Sequence, residues 1–105
     1  RIYAVVVKEA TLEAMIDAAR IGLGCLIYRN QYGKYPEKIS DLLPDILKEE
    51  PLDPFTGQSL IYRTKEDGFI VYSLGTNQKD DNGKMSEMTQ LVMDKDDDWS
   101  WRQNW

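Results

Sequence analysis

Oxygen-bearing groups are concentrated in one short segment, "SLGTNQKDDNG", which follows the most strand-like part of the chain. This segment offers the backbone carbonyl of Leu74, the amides of Asn77 and Asn82, and the carboxylates of Asp80 and Asp81. Carboxylate, amide and backbone carbonyl oxygens are the ligands of Ca²⁺, which takes about six to eight of them. The five residues therefore form a candidate calcium loop.

A solvated surface loop is the alternative interpretation, and the residues by themselves favour it. The run D-x-D/N-x-D/N-G with a following Glu, which marks an EF-hand, is absent. Two features favour a cation site. Carboxylates that cluster without a cation repel one another. A second acidic run at Asp94 and 96–98 could help to close the site. Both interpretations stay open at the level of sequence.

Side chains for nucleophilic or acid–base catalysis are scarce. The chain has no histidine, which excludes Ser-His-Asp and Cys-His arrangements as well as zinc sites that use histidine. Cys25 is the only cysteine, so no disulfide can form within the chain, and its apolar neighbours indicate a core residue. We expect a protein that is not an enzyme and has no small-molecule substrate.

The negative charge is concentrated in the second half of the chain. Of the net charge of −5, residues 1–50 contribute −1 and residues 51–105 contribute −4. Nucleic acids and anionic membrane surfaces attract clustered Lys and Arg, so we expect neither as a partner. A length of 105 residues, 42 % of them hydrophobic, is typical of one globular domain.

The strongest periodic pattern lies in the first third of the chain. Apolar residues at steps of three and four predict a helix from about residue 2 to Gln31. The stripe consists of Ile2, Val5, Leu12, Ile16, Ala19, Leu23 and Leu26. The β-branched start "IYAVVV" leaves a strand, or a helix capped at Thr11, as alternatives.

We expect the C-terminal half of the stripe to pack on the sheet and the part around Ile2 and Val5 to contact neighbouring molecules. Gly22 and Gly24 suggest that another element passes close to the helix.

The segments after this helix predict a connection and a small sheet. "EKISDLLPDILKEEP" predicts a short helix that begins near Ser40 or Asp41, with Pro44 in the first turn of a second helical piece. "LDPFTGQ" predicts a turn in which Gly57 can supply a positive φ. "SLIYRT" and "FIVYS" predict a β-hairpin whose four-residue loop "KEDG" has Gly68 at a left-handed position. "TQLVM" is a candidate third strand.

The order of these segments is similar to that of the globular part of type II secretion major pseudopilins and of related pseudopilin-like domains. In that family a helix leads into a Gly-x-Tyr-Pro turn and a leucine-bearing short helix. A Pro-x-Asp-Pro-aromatic turn with a glycine, a hairpin ending in Tyr-Ser-Leu-Gly and a calcium-binding loop follow. The resemblance covers roughly residues 12–83. The matching residues are Gly33, Tyr35, Pro36, Leu42, Leu43, Pro51, Asp53, Pro54, Phe55, Gly57, Tyr62, Tyr72, Ser73, Leu74 and Gly75.

The resemblance implies a pilin-like α+β fold, in which a long N-terminal helix packs on a small antiparallel sheet and an acidic loop region follows. It implies a structural subunit of a type II secretion or type IV pilus-related filament, stabilised by calcium. Such a subunit assembles through its N-terminal helix with copies of itself and with other pseudopilin or membrane-protein subunits. The domain would lie on the periplasmic or extracellular face, anchored to the bacterial inner membrane by a helix upstream of Arg1. In this family an Asp follows Ser-Leu-Gly where the present chain has the weaker ligand Asn77.

The chain divides into four segments of one domain, 1–105. They are the N-terminal helix 1–32, the short helical connection 33–50, the turn and hairpin 51–75 and the acidic loop and tail 76–105. Trp99 and Trp101 of the tail alternate as on a strand, and Trp105 follows. Either one of them packs on the core, or the three form a protein-binding patch, since Trp is frequent at interface hot spots. The second interpretation supports an alternative function, a non-catalytic protein-binding ectodomain of another membrane-anchored protein.

Overall fold

The chain folds into one long helix, a short 3-10 helix and an antiparallel sheet. The computed structural model describes residues 2–65, 68–73, 90–93 and 99–102. The elements within these residues are α1 (Ile2–Tyr32), the 3-10 helix (Ile39–Leu42), β1 (Ile61–Lys65), β2 (Gly68–Tyr72), β3 (Gln90–Met93) and β4 (Trp99–Arg102). Helix α1 packs against β2, β3 and the 3-10 helix. The predicted α+β arrangement of a long N-terminal helix on a small antiparallel sheet is confirmed.

Helix α1 continues without a break through 31 residues, which makes it about 46 Å long. The β-branched start is therefore helical, and the alternative start at Thr11 is wrong. The helix ends at Gly33, whose N–H donates to the carbonyl of Arg29 at 2.7 Å. Gly33 has a φ of 80°, a left-handed conformation that costs glycine little and that commonly ends helices.

Ile21 and three smaller residues line the face of α1 that packs on the sheet. Ala14, Ala18, Ile21 and Cys25 are at most 3 % exposed, and their spacing of three and four places them on one stripe. Ala14 contacts the half-buried Phe55. The other three residues belong to the main core, together with Tyr35, Ile39, Leu42, Leu60, Phe69, Val71 and Leu91.

The predicted packing stripe of α1 is wrong at three of its positions. Leu12, Ile16 and Leu23 are 59 %, 53 % and 52 % exposed, and Leu26 is only partly buried against the core. Both sides of the helix are apolar, so periodicity could not distinguish the side that packs from the side that does not. Large aromatic side chains on the facing elements, such as Phe69, fill the space above small helix residues, and that complementarity selects the buried face.

Gly24 marks the close approach of the 3-10 helix to α1, as the sequence predicted. A Cβ at this position would lie 3.1 Å from Cδ1 of Leu42 and 3.4 Å from Cγ2 of Ile46. Because Leu42 is itself buried, it has little room to move away from an added methyl group.

The connection between α1 and the sheet is less helical than predicted. The 3-10 helix begins at Ile39, after Lys38 as its N-cap, which is one residue before the predicted start near Ser40. The peptide bond between Leu43 and Pro44 is cis, and Pro44 lies in a turn over residues 43–46 instead of a second helical piece. A cis proline suits a tight turn.

The described strands form one sheet in the order β1-β2-β3-β4, with every neighbouring pair antiparallel. β1 and β2 are the predicted hairpin, and their register extends to the pair Lys65 and Gly68. Only residues 66 and 67 separate the two strands, so the predicted four-residue loop with a left-handed Gly68 is wrong. Two-residue connections are common because they match the twist of the strands.

β3 confirms the candidate third strand in "TQLVM", and β4 continues the sheet. Trp99 pairs with Met93 and Trp101 pairs with Leu91 in the backbone register, so both tryptophans belong to a strand as their alternation predicted. Trp105 lies outside the described residues.

All five residues of β2 are buried, which makes it the central strand of the core. Phe69 and Val71 belong to the main core beneath α1, whereas Ile70 and Tyr72 form a second cluster with Ile61 on the other face of the sheet. A strand that is covered on both faces carries a continuous apolar run instead of an alternating one. This explains why the sequence "GFIVY" contains no charged residue.

Candidate functional site

The predicted calcium ligands lie outside the described residues, in the interval 74–89. They are Leu74, Asn77, Asp80, Asp81 and Asn82. The structure does describe the position from which their loop departs, because β2 ends at Tyr72 and Ser73 is the last described residue before the interval. The contacts of Ser73 therefore determine where the loop begins.

A buried carboxylate holds Ser73 in place. Asp53 and Ser73 are each 1 % exposed. The Ser73 hydroxyl lies 2.8 Å from both Oδ1 and Oδ2 of Asp53, and it donates to that carboxylate. The backbone N–H of Phe55 donates to Oδ1 at 2.9 Å. Hydrogen bonds to a carboxylate are stronger than those between neutral groups, so they attach the turn that contains Asp53 firmly to the end of β2.

The backbone of this turn also closes around Asp53. The N–H of Asp53 donates to the carbonyl of Gln58 at 2.7 Å, and the N–H of Gly57 donates to the carbonyl of Asp53 at 2.7 Å. Gly57 has a φ of 73°, as the sequence predicted. The Asp-Pro dipeptide signalled the turn, but its partner Ser73 is 20 residues away, and no local pattern connected the two.

The single thiol makes a second buried polar contact. Cys25 is fully buried and hydrogen-bonded to Tyr62, whose hydroxyl donates to the carbonyl of Pro36 at 2.7 Å. Burial raises the pKa of Cys25 to about 12, and the hydrogen bond with Tyr62 opposes that shift to a smaller extent. Burial also raises the pKa of Tyr62, and its proximity to Cys25 adds to the effect. A thiol with so high a pKa is a poor nucleophile at neutral pH, so the contact is structural.

The last turn of α1 is attached to the connection through Arg29. Its Nη1 donates to the hydroxyl of Tyr35 at 2.8 Å, and its Cζ lies 5.0 Å from the centre of the Tyr35 ring. The same ring packs edge-on against Phe69, with 5.2 Å between ring centres. Arg29 thus fixes the turn "YGKYP" against the core through a hydrogen bond and a cation–π contact.

An exposed apolar surface follows α1 on the side opposite to the sheet. It is formed by Leu12, Ile16, Leu23 and Ile27, which are 48–59 % exposed, and we call it the outer face. With 3.6 residues per turn, these positions fall within a stripe about 60° wide. The four side chains are uncharged, and the exposed Arg20 lies about 20° outside the stripe. The outer face is therefore an apolar surface between Leu12 and Ile27 that the fold does not use.

No family model, curated protein or solved structure matches this chain. In the described ranges, no helix combines the length and the apolarity needed to cross a membrane. The same ranges contain no group of three or more acidic or cysteine side chains that could hold a metal ion. The predicted calcium ligands are not among the residues to which that finding applies.

Proposed function

We propose that the chain is the globular part of a pseudopilin-like subunit, a structural and non-catalytic protein that assembles with copies of itself through α1. The observation that carries this proposal is the outer face. Four large aliphatic side chains stay about half exposed there. Full burial of one such side chain would contribute about 1.5–3 kcal/mol to the free energy of folding or association. Contiguous exposed apolar surfaces commonly mark interaction sites.

The partner that we assign to the outer face is α1 of a neighbouring copy. Apolar residues at steps of four and seven are typical of the contact seam between two helices. The chain is acidic, with a net charge of −5, so two copies repel each other over most of their surface. The uncharged outer face is a surface on which they can approach with little repulsion. If the two α1 helices are shifted along their axes, so that each contact joins two different parts of α1, the contact repeats and forms a filament as long as the rotation between copies does not close a ring.

The proposal extends to the loop that follows β2, for which we assign Ca²⁺ as the ligand. Its donors would be the carbonyl of Leu74 and the side chains of Asn77, Asp80, Asp81 and Asn82. The all-oxygen donor set suits calcium. The Asp53–Ser73 contact supports the assignment, because it holds the residue before Leu74 in a defined place. A bound cation would also reduce the repulsion between the adjacent carboxylates.

The proposed location follows from the proposed assembly. The domain lies on the periplasmic or extracellular face of a bacterial inner membrane, and the anchoring helix precedes Arg1. Partners are other pseudopilin or membrane-protein subunits. The order of the turns "YGKYP" and "PLDPFTG" and of the hairpin supports this assignment, as does the long helix that precedes them.

Sedimentation velocity over a range of protein concentrations tests the proposed self-assembly. We expect the wild-type chain to associate and Ile16→Glu or Leu23→Glu to weaken association at least tenfold while the circular dichroism spectrum stays native. Leu52→Glu is the matched control, because Leu52 is also 52 % exposed but lies in the turn before β1, away from the outer face. This control should associate like the wild type.

The assembly proposal would be overturned if the wild-type chain stayed monomeric up to about millimolar concentration. It would also be overturned if all three substitutions weakened association equally. The function would then be sought in a different class, a protein-binding ectodomain. Such a domain would use the acidic, tryptophan-containing tail.

A further inference from the structure

A cleft separates the start of the 3-10 helix from the start of β1, on a part of the surface that the proposed assembly does not use. Its volume is about 290 Å³. The lining residues are Glu37, Lys38, Ile39, Ser40, Glu50, Ser59, Leu60 and Tyr62. This volume lies near the lower limit of small-molecule sites, about 300 Å³, and therefore suits a single side chain better than a cofactor.

We propose that this cleft binds a lysine or arginine side chain presented by a partner protein. The lining combines two kinds of surface that match the two parts of such a side chain. Ile39 and Leu60 are buried and Tyr62 is half-buried, so they form an apolar floor. The polar residues, including Glu37 and Glu50, complete the lining. A long basic side chain packs its aliphatic stem on apolar surface and keeps its charged end among polar groups.

The charge of the lining favours a cation over an anion. Glu37 and Glu50 contribute two negative charges and Lys38 contributes one positive charge, which leaves a net charge of −1. The phenol of Tyr62 adds an aromatic surface, and aromatic faces attract ammonium and guanidinium groups. A carboxylate or phosphate ligand would meet repulsion from both glutamates.

Glu50 supplies the second observation. Its Oε2 atom is buried and has no hydrogen-bond partner in the structure as described. Buried carboxylate oxygens are almost always paired, because desolvation without a compensating contact costs free energy. Glu50 itself is half-buried and lines the cleft, so its charge lies at the boundary between the interior and the cleft. A cation held in the cleft offsets that charge.

Binding of blocked amino acids, followed by ¹H–¹⁵N NMR of the whole chain, tests the proposal. The probes are N-acetyl-lysine methylamide and N-acetyl-arginine methylamide, with the neutral N-acetyl-norleucine and N-acetyl-citrulline methylamides as matched controls. We expect the basic probes to shift resonances of residues 37–40 and 59–62 with a millimolar dissociation constant that rises with salt. The neutral probes should bind at least tenfold more weakly.

Charge variants of the cleft give effects of opposite sign. Glu50→Gln and Glu37→Gln should weaken binding of the basic probes about fivefold or more, whereas Lys38→Gln should strengthen it. Glu49→Gln is the matched control, because Glu49 is exposed, adjacent to Glu50 and not part of the lining. It should leave the dissociation constant unchanged. Glu37 is exposed, so Glu37→Gln keeps the test valid even if Glu50→Gln impairs folding.

Equal binding of the lysine and norleucine probes, or equal effects of Glu50→Gln and Glu49→Gln, would overturn the proposal. Shifts confined to residues outside the cleft would do the same. This outcome is independent of self-assembly, because none of the cleft variants changes the outer face.

Discussion

At the scale of single residues, the chain uses its few buried polar groups to join segments that are distant in sequence. Asp53 connects the turn before β1 to the end of β2 through Ser73. Tyr62 connects β1 to Pro36 and contacts Cys25 of α1. Each of these groups is buried or half-buried with a partner, which is how proteins avoid the cost of desolvating them. Their chemistry is structural, in keeping with a protein for which we propose no catalysis.

The stability of the fold should decrease at alkaline pH because of Cys25. Its pKa is about 12 in the folded chain and 9.0 in the ordinary environment of an unfolded one. Below pH 9 the thiol is protonated in both states, so its contribution does not change. Between pH 9 and 12 only the unfolded state loses the proton, and the free energy of unfolding falls by up to about 1.4 kcal/mol per pH unit.

Urea unfolding between pH 8 and pH 10 measures this effect. We expect Cys25→Ala to show a smaller decrease in unfolding free energy over that interval than the wild type does. The comparison stops at pH 10 because the pKa of Tyr62 is also raised, so that above pH 10 this residue adds its own decrease in unfolding free energy. Equal slopes for the two proteins would contradict the assignment of the decrease to Cys25.

At the scale of elements, α1 has two apolar sides with different roles. The side with Ala14, Ala18, Ile21 and Cys25 is buried against the sheet, and Gly24 allows the 3-10 helix to pack closely beside it. The opposite side, the outer face, presents larger aliphatic residues to the surroundings. The role of a residue in α1 therefore depends on its side of the helix more than on its hydrophobicity.

Truncation of neighbouring residues on α1 should distinguish the two sides. Ile21 is fully buried, so Ile21→Ala should lower the free energy of unfolding by about 2–5 kcal/mol through lost burial and a cavity. Leu23 is 52 % exposed, so Leu23→Ala should change it by no more than about 0.5–1 kcal/mol. Urea unfolding at low protein concentration, where the chain is monomeric, measures both values. Comparable losses would mean that the assignment of faces is wrong.

At the scale of the whole molecule, the proposed functions are assigned to two surfaces of the described structure and to one loop of the sequence. The outer face lies on the back of α1, the cleft lies beside the 3-10 helix, and the acidic loop begins where β2 ends. They are formed by different segments, so each can be altered without changing the others. This separation allows assembly, cation binding and recognition of a basic side chain to be tested one at a time.

Thermal unfolding in EDTA and then in calcium tests the proposed cation loop. A ligand present at about 100 times its dissociation constant stabilises the folded state by about 2.7 kcal/mol, which raises the Tm of a small domain by several degrees. We expect calcium to produce such a rise and magnesium to produce less.

The double substitution Asp80→Asn and Asp81→Asn should abolish the calcium-dependent rise. Asp45→Asn removes an exposed carboxylate outside the loop and should retain the rise. A wild-type Tm that is the same in EDTA and in calcium would identify the loop as a solvated one.

How much of the fold could be predicted depended on how local each signal was. The end of α1, observed one residue beyond the predicted Gln31, the turn at Gly57 and the two strands of the hairpin depend on local backbone preferences, and these predictions were confirmed. The loop between β1 and β2 was predicted too long, because "KEDG" fits more than one turn and only the pairing of Lys65 with Gly68 decides between them. The calcium ligands stay a prediction.

The sequence by itself determined where the long helix, the two hairpin strands and the turn at Gly57 lie, because periodicity and glycine act over a few residues. It also determined the chemical character of the chain, which is acidic and without histidine. Only the tertiary structure decided which side of α1 is buried and that Asp53 meets Ser73. The physical reason is that both outcomes depend on how closely side chains from distant segments fit together. An apolar stripe such as Leu12, Ile16 and Leu23 has the same pattern whether or not a sheet packs against it.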